Sequence, residues 1–248
     1  MVQRTERLVS LDVFRGITIA GMILVNNPGS WSHVYPPLLH AEWHGWTPTD
    51  LIFPFFLFIV GVAMTYSFGK MFEQGISKSE IYKKVCQRAA ILFAIGLFMA
   101  IFPLVRFDPL RLYDFSTMRI MGVLQRIALC YLFASIIYLE FRNIGAQLFW
   151  LIGLLAGYWL VMTIIPVPGH GAGNMSQEGN LAAYIDQLIM TDHLWKPGWD
   201  PEGLLSTIPA IGTVLIGLLT GSCCGPSNQP KTKLYRCSST ETLGSWPG

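Results

Sequence analysis

The chain has 248 residues, 52% hydrophobic and 13% charged, with a mean hydropathy of +0.45. A soluble domain carries about 25% charged residues, so this composition excludes an ordinary water-soluble fold and predicts an all-α, polytopic transmembrane helix bundle. The net charge of +2 offers no basic surface for nucleic acid, and the five cysteines show neither Cys-x-x-Cys spacing nor the pattern of a disulfide scaffold.

A span needs about 20 mostly apolar residues, and about six segments come close. They are 11–27, 51–68, 89–106, 122–140, 147–165 and 203–221. The first follows Arg4 and Arg7, as in a signal peptide. Asp12 and Arg15 interrupt its start and no small-residue cleavage site follows, so a retained helix is expected. Asp12 and Arg15 are three apart on one face. They pair with each other, or Arg15 meets an anionic ligand. Asn26 and Asn27 close this helix before Pro28-Gly29, as a C-cap or as amide donors for a developing oxyanion.

Next comes His40-Ala-Glu-Trp-His-Gly-Trp-Thr-Pro-Thr-Asp50, running straight into the apolar Leu51–Gly61. Titratable side chains at a membrane interface are costly to keep unless they are used. His40 and His44 stand four apart, but the metalloprotease pattern needs Glu directly after the first His. Here it is Glu42, one place late, and no metal is expected. A neutral imidazole can take a proton from an attacking amine or hydroxyl near pH 7. That reading of His40 stands beside the plainer one of an interfacial hydrogen-bonding histidine. Asp50 suits a helix N-cap or a partner for Arg126. Gln125 and Arg126 lie inside the fourth helix, where an arginine costs about 2.5–3.5 kcal/mol at the bilayer centre. A buried functional or ion-pairing role is expected for it.

Lys and Arg set orientation. Arg4 and Arg7, then Lys70, Lys78, Lys83, Lys84 and Arg88, then Arg142, fall on one side. Residues 28–50 contain neither Lys nor Arg, and 166–202 contain only Lys196. The N-terminus is therefore expected in the cytoplasm and the His40 loop outside, with Trp31, Trp43 and Trp46 in the outer interfacial belt. The 166–202 loop is long, carries a helix-like 181–190 stretch, and reads as a folded extracytoplasmic cap. Residues 222–248 lack periodicity and read as a disordered or out-of-frame tail.

The motifs Leu11-Asp-Val-Phe-Arg-Gly16, His40-Ala-Glu-Trp43, Thr49-Asp-Leu-Ile-Phe-Pro54, Val123-Leu-Gln-Arg126, Pro166-Val-Pro-Gly169, Tyr184-Ile-Asp186, Asp192-His193 and Asp200-Pro-Glu-Gly203 occur in order. Together they closely resemble the heparan-α-glucosaminide N-acetyltransferase family and its bacterial relatives, over about residues 7–221. The resemblance implies a membrane acyltransferase that moves acetyl from acetyl-CoA, its co-substrate, to the amine of a glucosamine-type sugar. It places the active-site histidine at His40 and the site asparagine at Asn26. Asp50 joins them as a catalytic candidate, and Asp12, Arg15, Gln125, Arg126, Asp200 and Glu202 as substrate- or cofactor-binding candidates.

Relatives carry more spans than the six expected here, so 1–221 reads as a partial domain of a truncated chain, inserted but poorly active. The expected partners are the amino-sugar acceptor, the lipid bilayer and a second copy in a homodimer. The expected location is a bacterial inner membrane. The alternative is a transporter or an inactive scaffold for amino-sugar or cell-envelope metabolism, since Asp12, Arg15 and Arg126 also suit a translocation path.

Overall fold

A computed structural model describes residues 9–103, 105–107 and 110–224. Among these residues seven α-helices follow in order: α1 Val9–Asn26, α2 Ile52–Glu73, α3 Lys78–Ile101, α4 Val123–Glu140, α5 Ile144–Ile164, α6 Leu181–Met190 and α7 Thr207–Cys224. A two-residue link joins the paired segments β1 Val105–Phe107 and β2 Leu110–Leu112, a small antiparallel ribbon beside an otherwise helical bundle. The tail from residue 225 lies outside the described residues.

Local sequence explains the helix ends. Ser77, Asn143 and Asn180 cap α3, α5 and α6, each accepting a backbone N–H within the first turn. Gly75, at φ 68°, turns the chain back after α2. The third span departs most from expectation. It starts at Lys78 rather than near 89 and ends at Ile101 rather than near 106. Its first turns hold Lys78, Lys83, Lys84 and Arg88, which a hydropathy window rejects although they continue the helix. The expected 203–221 segment begins as a turn, and α7 starts at Thr207, whose hydroxyl donates to the Gly203 carbonyl at 2.9 Å.

Among the described residues five helices are long and apolar enough to cross a membrane: α1, α2 with its preceding turn from Pro48, α3, α4 and α5. The sixth expected span, 203–221, falls on α7, an apolar helix but a shorter one, not among those long enough to cross. It is the innermost of the six. Val214, Leu215 and Leu218 are fully buried, packed with Leu57, Met64 and Phe68 of α2 and Cys130 and Ala134 of α4. Backbone proximity sets this contact. A Cβ on Gly61 would overlap the Val214 carbonyl oxygen, and one on Gly217 would overlap that of Phe58. Small residues let two apolar helices approach this closely, which is how helices gain packing energy where lipid is as apolar as leucine. α1 and α5 lie outside. Val13, Ile17 and Leu24 on α1, and Phe149, Ile152 and Trp159 on α5, remain exposed. Patches of this size are rare on soluble monomers and suit contact with lipid chains.

The connections 27–51, 102–122 and 165–206 gather at one end, here the loop end. Trp43 Nε1 donates to the Met175 carbonyl at 2.7 Å, and Ile120 N to the His193 carbonyl at 3.2 Å. Only the short turns 74–77 and 141–143 lie at the other end among the described residues. If the loop end faces outward, cysteines placed at Ser32 and Ser176 in a chain otherwise free of cysteine should react with an impermeant thiol reagent in intact cells. One at Ser77 should not. Labelling confined to Ser77 would reverse the orientation.

Candidate active site at the loop end

The loop before α2 is folded around one carboxylate. Pro36–Leu38 form a 3-10 turn, as do Pro48–Leu51. The Thr47 and Thr49 hydroxyls donate to the Leu39 and Pro37 carbonyls, tying the two turns together. Asp50 Oδ2 accepts from Thr47 N at 2.8 Å, Thr47 Oγ1 at 3.1 Å and Ala41 N at 3.2 Å. Asp50 Oδ1 is left for His40 Nδ1, at 2.6 Å. A carboxylate in this position holds the proton on Nδ1 and leaves Nε2 with its lone pair. The His40 side chain is 68% exposed, so Nε2 is reachable by a substrate.

The expected pairing of Asp50 with Arg126 is therefore corrected. Arg126, 9% exposed, makes no ion pair among the described residues. Its guanidinium donates to the Pro201 carbonyl at 2.9 Å and to Ser206 Oγ at 2.5 Å, and lies over the Phe53 ring. It ties the first turn of α4 to the segment that leads into α7. Gln125 points elsewhere, against Gly96 of α3 and Gly122.

Asp200 and Glu202 are engaged by Arg119. The guanidinium meets Asp200 through Nε at 2.9 Å and one terminal nitrogen at 2.6 Å, and it also contacts Glu202. Asp200 Oδ2 and Oδ1 further accept the Trp195 and Glu202 N–H groups. Burial works against the Arg119 charge, but the two carboxylates outweigh it and hold the guanidinium charged. Arg119 is not among the candidates read from the sequence; the paired acids of Asp200-Pro-Glu202 are the signal that could have pointed to a cationic partner.

Arg119→Ala would strand two carboxylates, one of them 4% exposed. A loss of about 3–5 kcal/mol follows from breaking a buried pair, read as a lower thermal midpoint. A change under about 1 kcal/mol would show that the cluster is solvated.

The remaining candidates lie apart. Asp12 and Arg15 are 3.6 Å from each other near the start of α1, away from the loop end. Asn26 is exposed on the last turn of α1, and among the described residues no hydrogen bond joins it to His40 or Asp50. His44 lies edge-on to Trp43, 6.5 Å between centroids. Among the described residues no three His, Cys, Asp or Glu side chains gather as a ligand set.

A cavity of about 430 Å³ opens between α5, α6 and the loops. Trp43, Tyr158, Trp159 and Trp199 line it with Asp186 and Ser206. Trp43 and Trp199 meet edge to face at 5.9 Å. Asp186 is 1% exposed and accepts one N–H, from Leu204 at 2.8 Å. Burial pushes its carboxyl up from 3.8 to about 6, against the Leu204 bond. The folded chain thus holds this proton more tightly than the unfolded chain does. The contribution to stability is complete below about pH 3.8 and is lost as pH rises through about 6. Asp186→Asn should raise the thermal midpoint at about pH 7.5, and the gain should vanish near pH 4. A gain independent of pH would contradict the raised carboxyl.

These features define an integral, multi-pass, helical membrane protein whose loop end carries a His–Asp pair and an aromatic cavity. The family profile described as heparan-alpha-glucosaminide N-acetyltransferase, catalytic, matches residues 7–245, and the chain belongs to that family. The Homo sapiens heparan-alpha-glucosaminide N-acetyltransferase is 32% identical over 261 residues, covering 87% of this chain and 38% of the relative. The Mus musculus protein of the same name is 30% identical over 260 residues, covering 87% and 39%. The chain thus spans about two fifths of the length of the curated relatives it matches.

Proposed function

We propose that this chain carries the catalytic histidine of a membrane acetyltransferase that moves acetyl from acetyl-CoA to the amine of a glucosamine-type sugar. The observation that carries the reading is the 2.6 Å bond between His40 Nδ1 and Asp50, at the histidine that family resemblance singles out. An ammonium has no lone pair, so the acceptor nitrogen first releases one proton to solvent and attacks as the neutral amine. As the C–N bond forms, His40 Nε2 takes the second proton from that nitrogen, and Asp50 stabilises the imidazolium that forms. The nitrogen bonds to the thioester carbon, the oxygen becomes an oxyanion, and the C–S bond then breaks. The thiolate leaves and takes the proton from His40, which restores the neutral ring.

Asn26 is assigned as the amide donor to the oxyanion. This requires the end of α1 to close toward His40 when substrates bind. CoA is anionic, and Arg15, Lys83, Lys84 and Arg88 provide positive charge toward the turn end. The test uses the chain in lipid nanodiscs with acetyl-labelled acetyl-CoA and glucosamine. Labelled N-acetylglucosamine is expected. Uptake of labelled glucosamine into proteoliposomes without any N-acetyl product would instead assign the chain as a transporter.

A further inference from the structure

A second cavity lies toward the turn end. α2 and α3 are joined by the short turn 74–77, yet their backbones hardly approach each other, because α3 packs on α4 and α2 chiefly on α7. The gap between them is a cleft of about 260 Å³, lined by Val60, Ala63, Met64 and Ser67 of α2, Arg88 of α3 and Tyr131 of α4. We propose that this cleft binds a phospholipid of net negative head, its phosphate held by Arg88 and an acyl chain laid against α2. The inference does not rest on the acetyl-transfer reading.

Three observations point to that ligand. First, the polar groups of the cleft lack protein partners. Tyr131 is 8% exposed, and among the described residues its hydroxyl makes no hydrogen bond. The same holds for the Ser67 hydroxyl, and Arg88 makes no ion pair among the described residues. A buried hydroxyl without a partner is costly, and a phosphate or ester oxygen supplies the acceptor it lacks.

Second, polarity is ordered along the cleft. Val60, Ala63, Met64 and Ser67 stand at i, i+3, i+4 and i+7, on one face of α2. Ser67 is nearest the turn end, and Val60 lies about 10 Å deeper at 1.5 Å per residue. α3 begins at the turn end, and helical side chains lean toward the N-terminus of their helix, so Arg88 reaches the same way. The cleft thus passes from charged and hydroxyl groups to bare apolar wall along the helix axes, as a lipid passes from head to chain.

Third, charge and access suit one lipid. Among the described residues the lining carries one cation and no acid, which matches a single phosphodiester. Lys84, one turn before Arg88, adds attraction for a head that is negative overall. CoA brings several phosphates and an adenine, and the lining offers neither the cations nor an amide or carboxylate for the base. Arg88 keeps its share of the positive field toward CoA; its contact here is with lipid. Ile91 and Ile95 follow Arg88 on the same face of α3 and are exposed, so the cleft has an apolar lip through which a chain can enter from the side.

The experiment delipidates the full chain in a neutral maltoside detergent, titrates it with dioleoylphosphatidylglycerol and counts bound lipid by native mass spectrometry. One lipid per chain is expected. It should bind at least about tenfold tighter than dioleoylglycerol, which lacks the phosphate, dioleoylphosphatidylcholine, whose head is neutral overall, and glycerol phosphate, which lacks the chains. Arg88→Gln alters an exposed side chain and should remove the preference for phosphatidylglycerol over dioleoylglycerol. Ala63→Phe fills the cleft and should abolish retention, while Lys83→Gln, on another face of α3, should leave it intact. Equal binding of dioleoylglycerol, phosphatidylcholine or glycerol phosphate would overturn the proposal. So would unchanged binding in Arg88→Gln, or equal losses in the Arg88 and Lys83 variants, which would reduce the effect to surface charge. Displacement of the lipid by CoA would give the cleft to the nucleotide and overturn it as well.

Discussion

His40→Ala is expected to lower acetyl transfer to glucosamine by about 10²–10⁴-fold, the range that general acid–base catalysis supplies. The imidazole is exposed and packs little surface, so expression, helical content and CoA binding should stay close to the parent. Asp50→Asn tests the arrangement more finely. The amide can still accept the Thr47 and Ala41 N–H groups, which keeps the turn into α2. It removes the negative charge facing Nδ1 and with it the hold on tautomer and imidazolium. Activity should fall steeply while the thermal midpoint moves little. His44→Ala should be mild, because among the described residues no hydrogen bond joins His44 to His40 or Asp50 and its ring lies edge-on to Trp43. Equal losses in the His40 and His44 variants, or rescue of either by added zinc, would favour a metal site instead. A His40→Ala chain with parental turnover would remove the dyad from the mechanism altogether.

Gly217→Leu should strongly destabilise the helix bundle. Even a methyl group there would overlap the Phe58 carbonyl oxygen and approach Gly61 Cα at 3.1 Å. Both obstacles are backbone, so no rotamer change relieves them and α2 and α7 must separate. Overpacking a tight core costs typically about 1–3 kcal/mol and sometimes more. A helix pair buried along its length, with Leu57 and Leu215 at the same seam, belongs at the upper end. The measurement is the thermal midpoint in detergent, with Gly153→Ala and Gly157→Ala as controls. Nothing lies within 4 Å of a Cβ at either control position. Alanine is the better helix former, so those variants should be neutral or slightly stabilised. Similar behaviour at residues 153 and 217 would mean that α2 and α7 do not pack through these glycines.

The sequence by itself determined which stretches are helices in an apolar setting. Hydropathy sums over about 20 neighbouring residues, and that local quantity located α1, α2, α4 and α5 well. It lost the start of α3 because charged turns at a helix end count against a span while still forming helix. The sequence also carried His40, Asp50 and the Asp200-Pro-Glu202 motif as suspects.

Their partners were decided by tertiary structure. Asp50 meets His40 ten residues away in the chain, not Arg126. Arg119 finds Asp200 across 81 residues, and Arg126 finds Ser206 across 80. Such pairings depend on how three loops converge at one end, and no periodicity encodes that. Asp186 shows the difference most clearly. On the sequence it was the last residue of the Tyr184-Ile-Asp186 motif in a short helical stretch, with no role assigned to it. The approach of Gly203 and the aromatic walls from α5 and the His40 loop, which only the fold brings together, leave its carboxylate buried, with an accepted bond from Leu204 N and no salt bridge among the described residues.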